Sequence, residues 1–100
     1  MRKGYRAEYK AKKELIQKYG KENVLKVAIG GAVDFLVLSP NKNRIEKIVE
    51  VKACHKKKYY PTPREKAQLG RLKEIGKKHS IKTELWIKHP RNEFIKKKLV

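Results

Sequence analysis

Two carboxylates stand where an unpaired charge is costly. Asp34 lies at the start of the apolar run VDFLVL (33–38), and Glu50 with Lys52 lies in RIEKIVEVKA (44–53). Strand side chains alternate with period 2, so Ile48, Glu50 and Lys52 share one face and Val49, Val51 and Ala53 the other. The intervening SPNKN (39–43) carries turn-forming Pro and Asn. A hairpin centred on Lys42 sets Asp34 and Glu50, each eight residues from that centre, directly opposite one another. Like charges so placed, with Cβ atoms about 5 Å apart, repel unless a cation joins them. A slip of one residue would turn Asp34 to the other face.

A third acid is expected from the first helix. At about 100° per residue, Tyr5, Tyr9, Ala11, Leu15, Ile16 and Tyr19 form a wide apolar arc with Glu8 near its middle and Lys12 close by. Burying a lone carboxylate in such an arc costs several kcal/mol, so Glu8 needs a partner. Three converging acids suit a divalent cation, and hard oxygen donors select magnesium or manganese over zinc.

Each residue also has a plainer reading. Glu8 and Lys12 stand at i, i+4, an ordinary helical ion pair. Asp34 sits near a turn, where Asp is common. Glu46, Glu50 and Lys52 could form a solvated strand face of alternating charge. The conjunction favours a site: an inward Glu, a strand Asp, and an E-x-K opposite it after a short hairpin.

The elements that must position these groups follow from the pattern. A helix over 4–19 stops at Gly20. Strands are expected at 23–29, 33–38 and 44–53, with a turn at Gly30 and Gly31. Thr62, Pro63 and Glu65 form a capping-box start for a second helix reaching about His79. Leu69, Leu72, Ile75 and Gly76 are its apolar arc, with Gln68 at the edge and His79 inside. A fourth strand follows at 82–88. Residues 89–100 form a basic tail with room for a short helix after Pro90. The order αβββαβ gives a mixed α/β or α+β domain.

The bulk numbers set the partner class. One hundred residues, 39% hydrophobic, suit a single domain spanning 1–100. Twenty-eight Lys and Arg against ten Asp and Glu leave a charge of +18, which points to nucleic acid. No apolar run approaches a spanning helix and MRKGYRAEYKAKKE has no hydrophobic signal core, so an intracellular, cytoplasmic and nucleoid-associated protein is expected. Arg2, Lys3, Arg6, Lys56, Lys57 and Lys58 are the expected phosphate contacts, with Tyr59 and Tyr60 placed to meet bases. The single cysteine, Cys54, excludes an internal disulfide and a cysteine-based zinc cluster.

The order Glu8, VDFLVL, IVEVK resembles the PD-(D/E)xK nuclease superfamily. RKGYRAEYKAKKEL together with EVK, YY and KAQLGRL is similar to archaeal Holliday junction resolvases, over about residues 2–75. The resemblance implies a restriction-endonuclease-like core in which Glu8, Asp34 and Glu50 bind metal. Val51 would lend its backbone carbonyl, Lys52 is the motif lysine, and Gln68 matches the glutamine of the second helix. It also implies a magnesium-dependent homodimer, with manganese as substitute, that cuts four-way DNA junctions symmetrically in recombination and repair. Trp86, Phe94 and Ile95 are then the expected dimer-interface groups. The chain departs from the resolvase pattern at KVAIGGAVD, where an Arg and a Ser-Gly run are usual, and it is shorter than typical members. Two alternatives stand beside this reading: a related nuclease acting on flaps, ends or duplex DNA, and a small non-enzymatic nucleic-acid-binding protein.

Overall fold

A computed structural model describes residues 3–29, 32–39 and 44–100, with the backbone alone at 3–5, 28–29 and 32–34. Helix α1 runs Lys3–Tyr19, followed by a 3-10 turn at Lys21–Asn23 and strands β1 (Val24–Ile29), β2 (Ala32–Leu38) and β3 (Ile45–Ala53). Helix α2 (Pro63–His79) leads to β4 (Lys82–Lys88) and β5 (Ile95–Lys98). The sheet order is β1-β2-β3-β4-β5, antiparallel except for the β3/β4 pair. The parallel pair needs a long crossover, which α2 supplies. The result is a mixed α/β fold of five strands and two helices.

The first four strands and both helices fall where the sequence puts them, to within about two residues at each end. The tail does not. Its residues 95–98 form an exposed edge strand instead of a helix after Pro90, pairing Trp86 with Lys96 and Ile87 with Ile95. Three lysines on this edge discourage further strand addition. The turn at residues 30–31 and residues 40–43 of the hairpin loop lie outside the described residues.

The two helices occupy opposite faces of the sheet. Against α1 pack Phe35, Val37, Val49, Val51 and Trp86, facing a helical stripe of Ala7, Ala11 and Leu15. Alanine at two consecutive turns lets α1 approach the sheet closely, and burying Leu15 adds about 2 kcal/mol. The expected arc was centred too far round the helix, since Tyr9 is 57% exposed. On the other face, Gly76 of α2 sits against Thr83 and Ile81, with Leu72 also buried. His79, placed inside the apolar arc by the sequence pattern, is exposed, as is much of Ile75.

The start of α2 has the expected geometry. The Thr62 hydroxyl accepts from the Glu65 N–H at 3.2 Å, and the Glu65 carboxylate accepts from the Thr62 N–H at 2.9 Å. Ser80 ends the helix in the left-handed region, with its N–H on the Gly76 carbonyl. Among the described residues, no helix is long and apolar enough to cross a membrane.

Trp86 is an internal residue of this fold. It is 3% exposed, its ring centroid lies 5.3 Å from that of Phe94, and its indole N–H donates to Glu84 at 2.9 Å. It is therefore unavailable to the dimer interface at which the sequence pattern places it.

Candidate functional site

The β2/β3 ladder pairs Asp34 with Glu50, Phe35 with Val49, Leu36 with Ile48 and Val37 with Lys47. A register shift follows between Val37 and Leu38, so Leu38 pairs with Ile45. The hairpin centre at Lys42 thus gives the correct interior register, and the irregularity is confined to the turn end. On the opposite flank, Glu50 pairs with Leu85 of β4. Glu50 consequently lies in the central strand, between Asp34 and a buried leucine.

Glu50 is 2% exposed, among the most deeply buried side chains of the molecule. Its cation is Lys52, whose Nζ stands 3.2 Å from Oε1, a contact without the alignment of a hydrogen bond. The period-2 alternation of β3 puts both side chains on the α2 face, as the sequence requires.

Helix α2 adds an acid that the sequence reading used only as a cap. Glu65 Oε2 lies 3.5 Å from Lys52 Nζ, so one ammonium bridges a strand carboxylate and a helix carboxylate. Burial works to raise the Glu65 pKa. The Thr62 backbone N–H, the Tyr59 hydroxyl and the Lys52 charge outweigh it and hold the pKa below its ordinary value. The sequence marks Glu65 only as the N3 member of a capping box; its reach to Lys52 follows from the docking of α2 on the sheet. Gln68, one turn later and half-buried, shares that side of the helix.

Tyr59 closes the group from the loop after β3. Burial first, and then the neighbouring Glu65 and Glu50 carboxylates, push its pKa well above the usual phenol value. Its hydroxyl is buried and lacks a well-aligned hydrogen bond. Tyr60 is turned outward at 73% exposed, and Lys56, Lys57 and Lys58 are exposed beside it. The Cys54 thiol is turned toward the carbonyls of Lys56 (3.5 Å) and Lys58 (3.6 Å), which anchors this lysine turn to the strand end.

Glu8 is placed elsewhere. It pairs with Lys26 of β1 at 3.3 Å, instead of with Lys12. Lys26 is opposite Phe35 in the ladder, so this pair lies on the α1 face, whereas Glu50 and Lys52 lie on the α2 face. Among the described contacts the structure gathers Glu50, Lys52, Glu65 and Tyr59, and does not bring Glu8 to them. Among the described residues, no three His, Cys, Asp or Glu side chains group as metal ligands. The Asp34 side chain, the Lys3 side chain and all of Arg2 lie outside that description.

A second ionic centre occupies the α1 face. Lys47, buried, donates to Glu84 at 3.0 Å and lies 5.5 Å from the Tyr19 ring centroid. Burial alone would lower the Lys47 pKa, but Tyr19 and Glu84 hold it above its ordinary value. Burial likewise opposes the Glu84 charge, while the Trp86 indole and Lys47 hold its pKa below the ordinary carboxylate value.

Comparison with protein-family models, curated proteins and solved structures gives no match. The functional reading therefore rests on the residues themselves.

Proposed function

We propose that the chain is a metal-dependent DNA endonuclease with a restriction-endonuclease-like core, acting on four-way junctions. The observation that carries this reading is the direct pairing of Asp34 with Glu50, with Lys52 beside the buried Glu50 carboxylate. A central strand has no structural need for a buried acid opposite a second acid. Divalent-cation binding gives it one.

The residues fit such an ion on their chemistry. The Glu50 carboxylate is buried, and its Oε1 lacks an aligned donor. Its ladder partner is a second hard oxygen donor. Asp34, Glu50 and the Val51 carbonyl are the groups that would hold magnesium, or manganese in its place. When bound, the cation supplies Lewis-acid stabilisation of charge on the scissile phosphate.

The other roles belong to the chain. Lys52 orients or deprotonates the attacking water, or neutralises charge on the phosphate. Glu65 holds the Lys52 ammonium toward Glu50, and Gln68 extends the same side of α2 toward the site. Glu8, paired with Lys26 on the α1 face, stands outside this site. Arg6 and the exposed lysines 56–58 add salt-dependent backbone binding. A two-fold dimer would place two such sites on paired strands of a junction.

Cleavage of labelled mobile junctions, flaps and linear duplex in magnesium tests the substrate assignment. Paired, symmetric nicks in the junction alone support it. Equal cutting of all three substrates would replace it with a general nuclease of the same superfamily.

A second reading has its own support. Glu8 with Lys26, and Glu50 and Glu65 around Lys52, are all satisfied as ion pairs of a structural protein. A non-enzymatic nucleic-acid-binding domain of this charge would behave identically with and without magnesium.

A further inference from the structure

A cleft of about 320 Å³ opens where β3 and β4 end, at Ala53 and Lys88. The two strand ends are tied there by the Cys54 N–H on the Lys88 carbonyl at 2.9 Å. Ala7 contributes a small, apolar floor, and Arg6, Lys10, Lys88 and Arg91 surround it; among the described residues, no carboxylate lines this cleft. A second cleft of about 390 Å³ shares Lys10, Lys88 and Arg91 and continues along α1 past Lys13; Glu14, which is paired with Lys96, and Glu93 also line it, so the cations dominate at the end nearest Arg6. The two form one cationic trough.

We propose that this trough binds a sugar-phosphate strand of DNA, as a site separate from the carboxylates on the α2 face. Its shape and charge both favour a strand. Cations around a concave, low-dielectric floor focus positive potential into the cleft. Arg6, Lys10 and Lys13, at i, i+4 and i+7, form a like-charge row along α1, an arrangement that disfavours the bare helix and that an anionic backbone relieves. Arg91 stands in the left-handed region at φ 64°, inside a turn closed by the Asn92 N–H on the His89 carbonyl. The Cβ–carbonyl crowding of the left-handed region, accepted at an arginine with Asn92 adjacent and better suited to it, is the kind of strain found at ligand clamps. Lys88 is held as well, with Nζ donating to the His89 carbonyl at 2.8 Å.

The proposal rests on the nuclease reading only in naming DNA as the source of the phosphates. Ala53 is three residues beyond Glu50, roughly 10 Å along an extended strand. A backbone leaving the trough around the end of β3 would therefore reach the lysine turn at 56–58 and pass near Glu50.

The test is anisotropy binding of the full chain to fluorescein-labelled duplex and four-way junction DNA, in EDTA, over a salt series. The double substitution Lys10→Ala with Arg91→Ala is compared with Lys73→Ala with Lys77→Ala, two exposed lysines of α2 that remove the same charge. The trough pair should weaken binding about tenfold and reduce the log-log salt slope by about 2, and the α2 pair should change affinity less than about twofold. Lys10→Arg with Arg91→Lys, which keeps the charge, should retain wild-type affinity and guards against misfolding of the alanine variant. Equal losses from the two alanine pairs, or no loss from either, would overturn the trough. Cleavage is scored separately, so a protein that binds through the trough without cutting sinks the nuclease reading alone.

Discussion

The ammonium of Lys52 stands 3.2 Å from the carboxylate of Glu50, two residues earlier on the same strand face, and Glu50 is almost wholly withdrawn from water. Removing one member of a buried pair leaves the other charge uncompensated. Lys52→Met should therefore destabilise the fold by roughly 3 kcal/mol, read from the urea midpoint. The double substitution Glu50→Leu with Lys52→Met should recover most of that loss, because no charge remains buried.

Two glycines of α2 should respond in opposite directions to alanine. A Cβ at Gly76 would meet the Ile81 carbonyl oxygen at 2.8 Å and the Thr83 and Val100 methyls at 2.9 Å, while one at Gly70 meets nothing within 4 Å. Gly76→Ala should cost about 2 kcal/mol through overpacking. Gly70→Ala should gain about 0.5 to 1 kcal/mol from helix propensity. Thermal unfolding of the two variants gives both signs.

Acidification should weaken the Lys47, Glu84 and Trp86 centre. The Glu84 pKa is lowered on folding, from an ordinary value of 4.5. Its stabilisation is therefore present above pH 4.5 and is lost as pH falls through the lower, folded value. Glu84→Gln should flatten the fall of stability below about pH 5, as measured by urea titrations at successive pH values.

Tyr59 gives the alkaline counterpart. Its raised pKa means that the unfolded chain loses the phenolic proton first, so stability falls as pH rises above 10. Ultraviolet titration should show a late phenolic ionisation, and Tyr59→Phe should remove it. Because the hydroxyl lacks an aligned partner, the substitution should change stability at neutral pH by less than about 1 kcal/mol.

Much of the site-bearing fold is legible in the chain because its signals are local. Turn residues between 39 and 43, with apolar alternation on each side, are enough to place Asp34 opposite Glu50, and Thr62, Pro63 and Glu65 fix where α2 begins. The non-local features are less visible. Apolar periodicity weights Tyr5 and Tyr9 by their size, whereas close packing of α1 on the sheet selects Ala7 and Ala11 and turns Tyr9 to solvent. That rotation, together with Lys26 arriving from β1, explains why Glu8 finds a partner on the other face of the sheet. The strand at 95–98 is hidden because IKKK lacks an apolar alternation and is formed by pairing with β4. Glu65 is legible as a cap, but its contact with Lys52 depends on how α2 docks, which no local pattern encodes.

The central claim concerns the paired acids Asp34 and Glu50, and cleavage of a labelled four-way junction in magnesium tests it most directly. Wild-type protein should produce paired symmetric nicks, while Asp34→Asn and Glu50→Gln should lose cleavage and keep junction binding. Failure of the wild-type chain to cut in either magnesium or manganese, or undiminished cutting by Asp34→Asn, would contradict it.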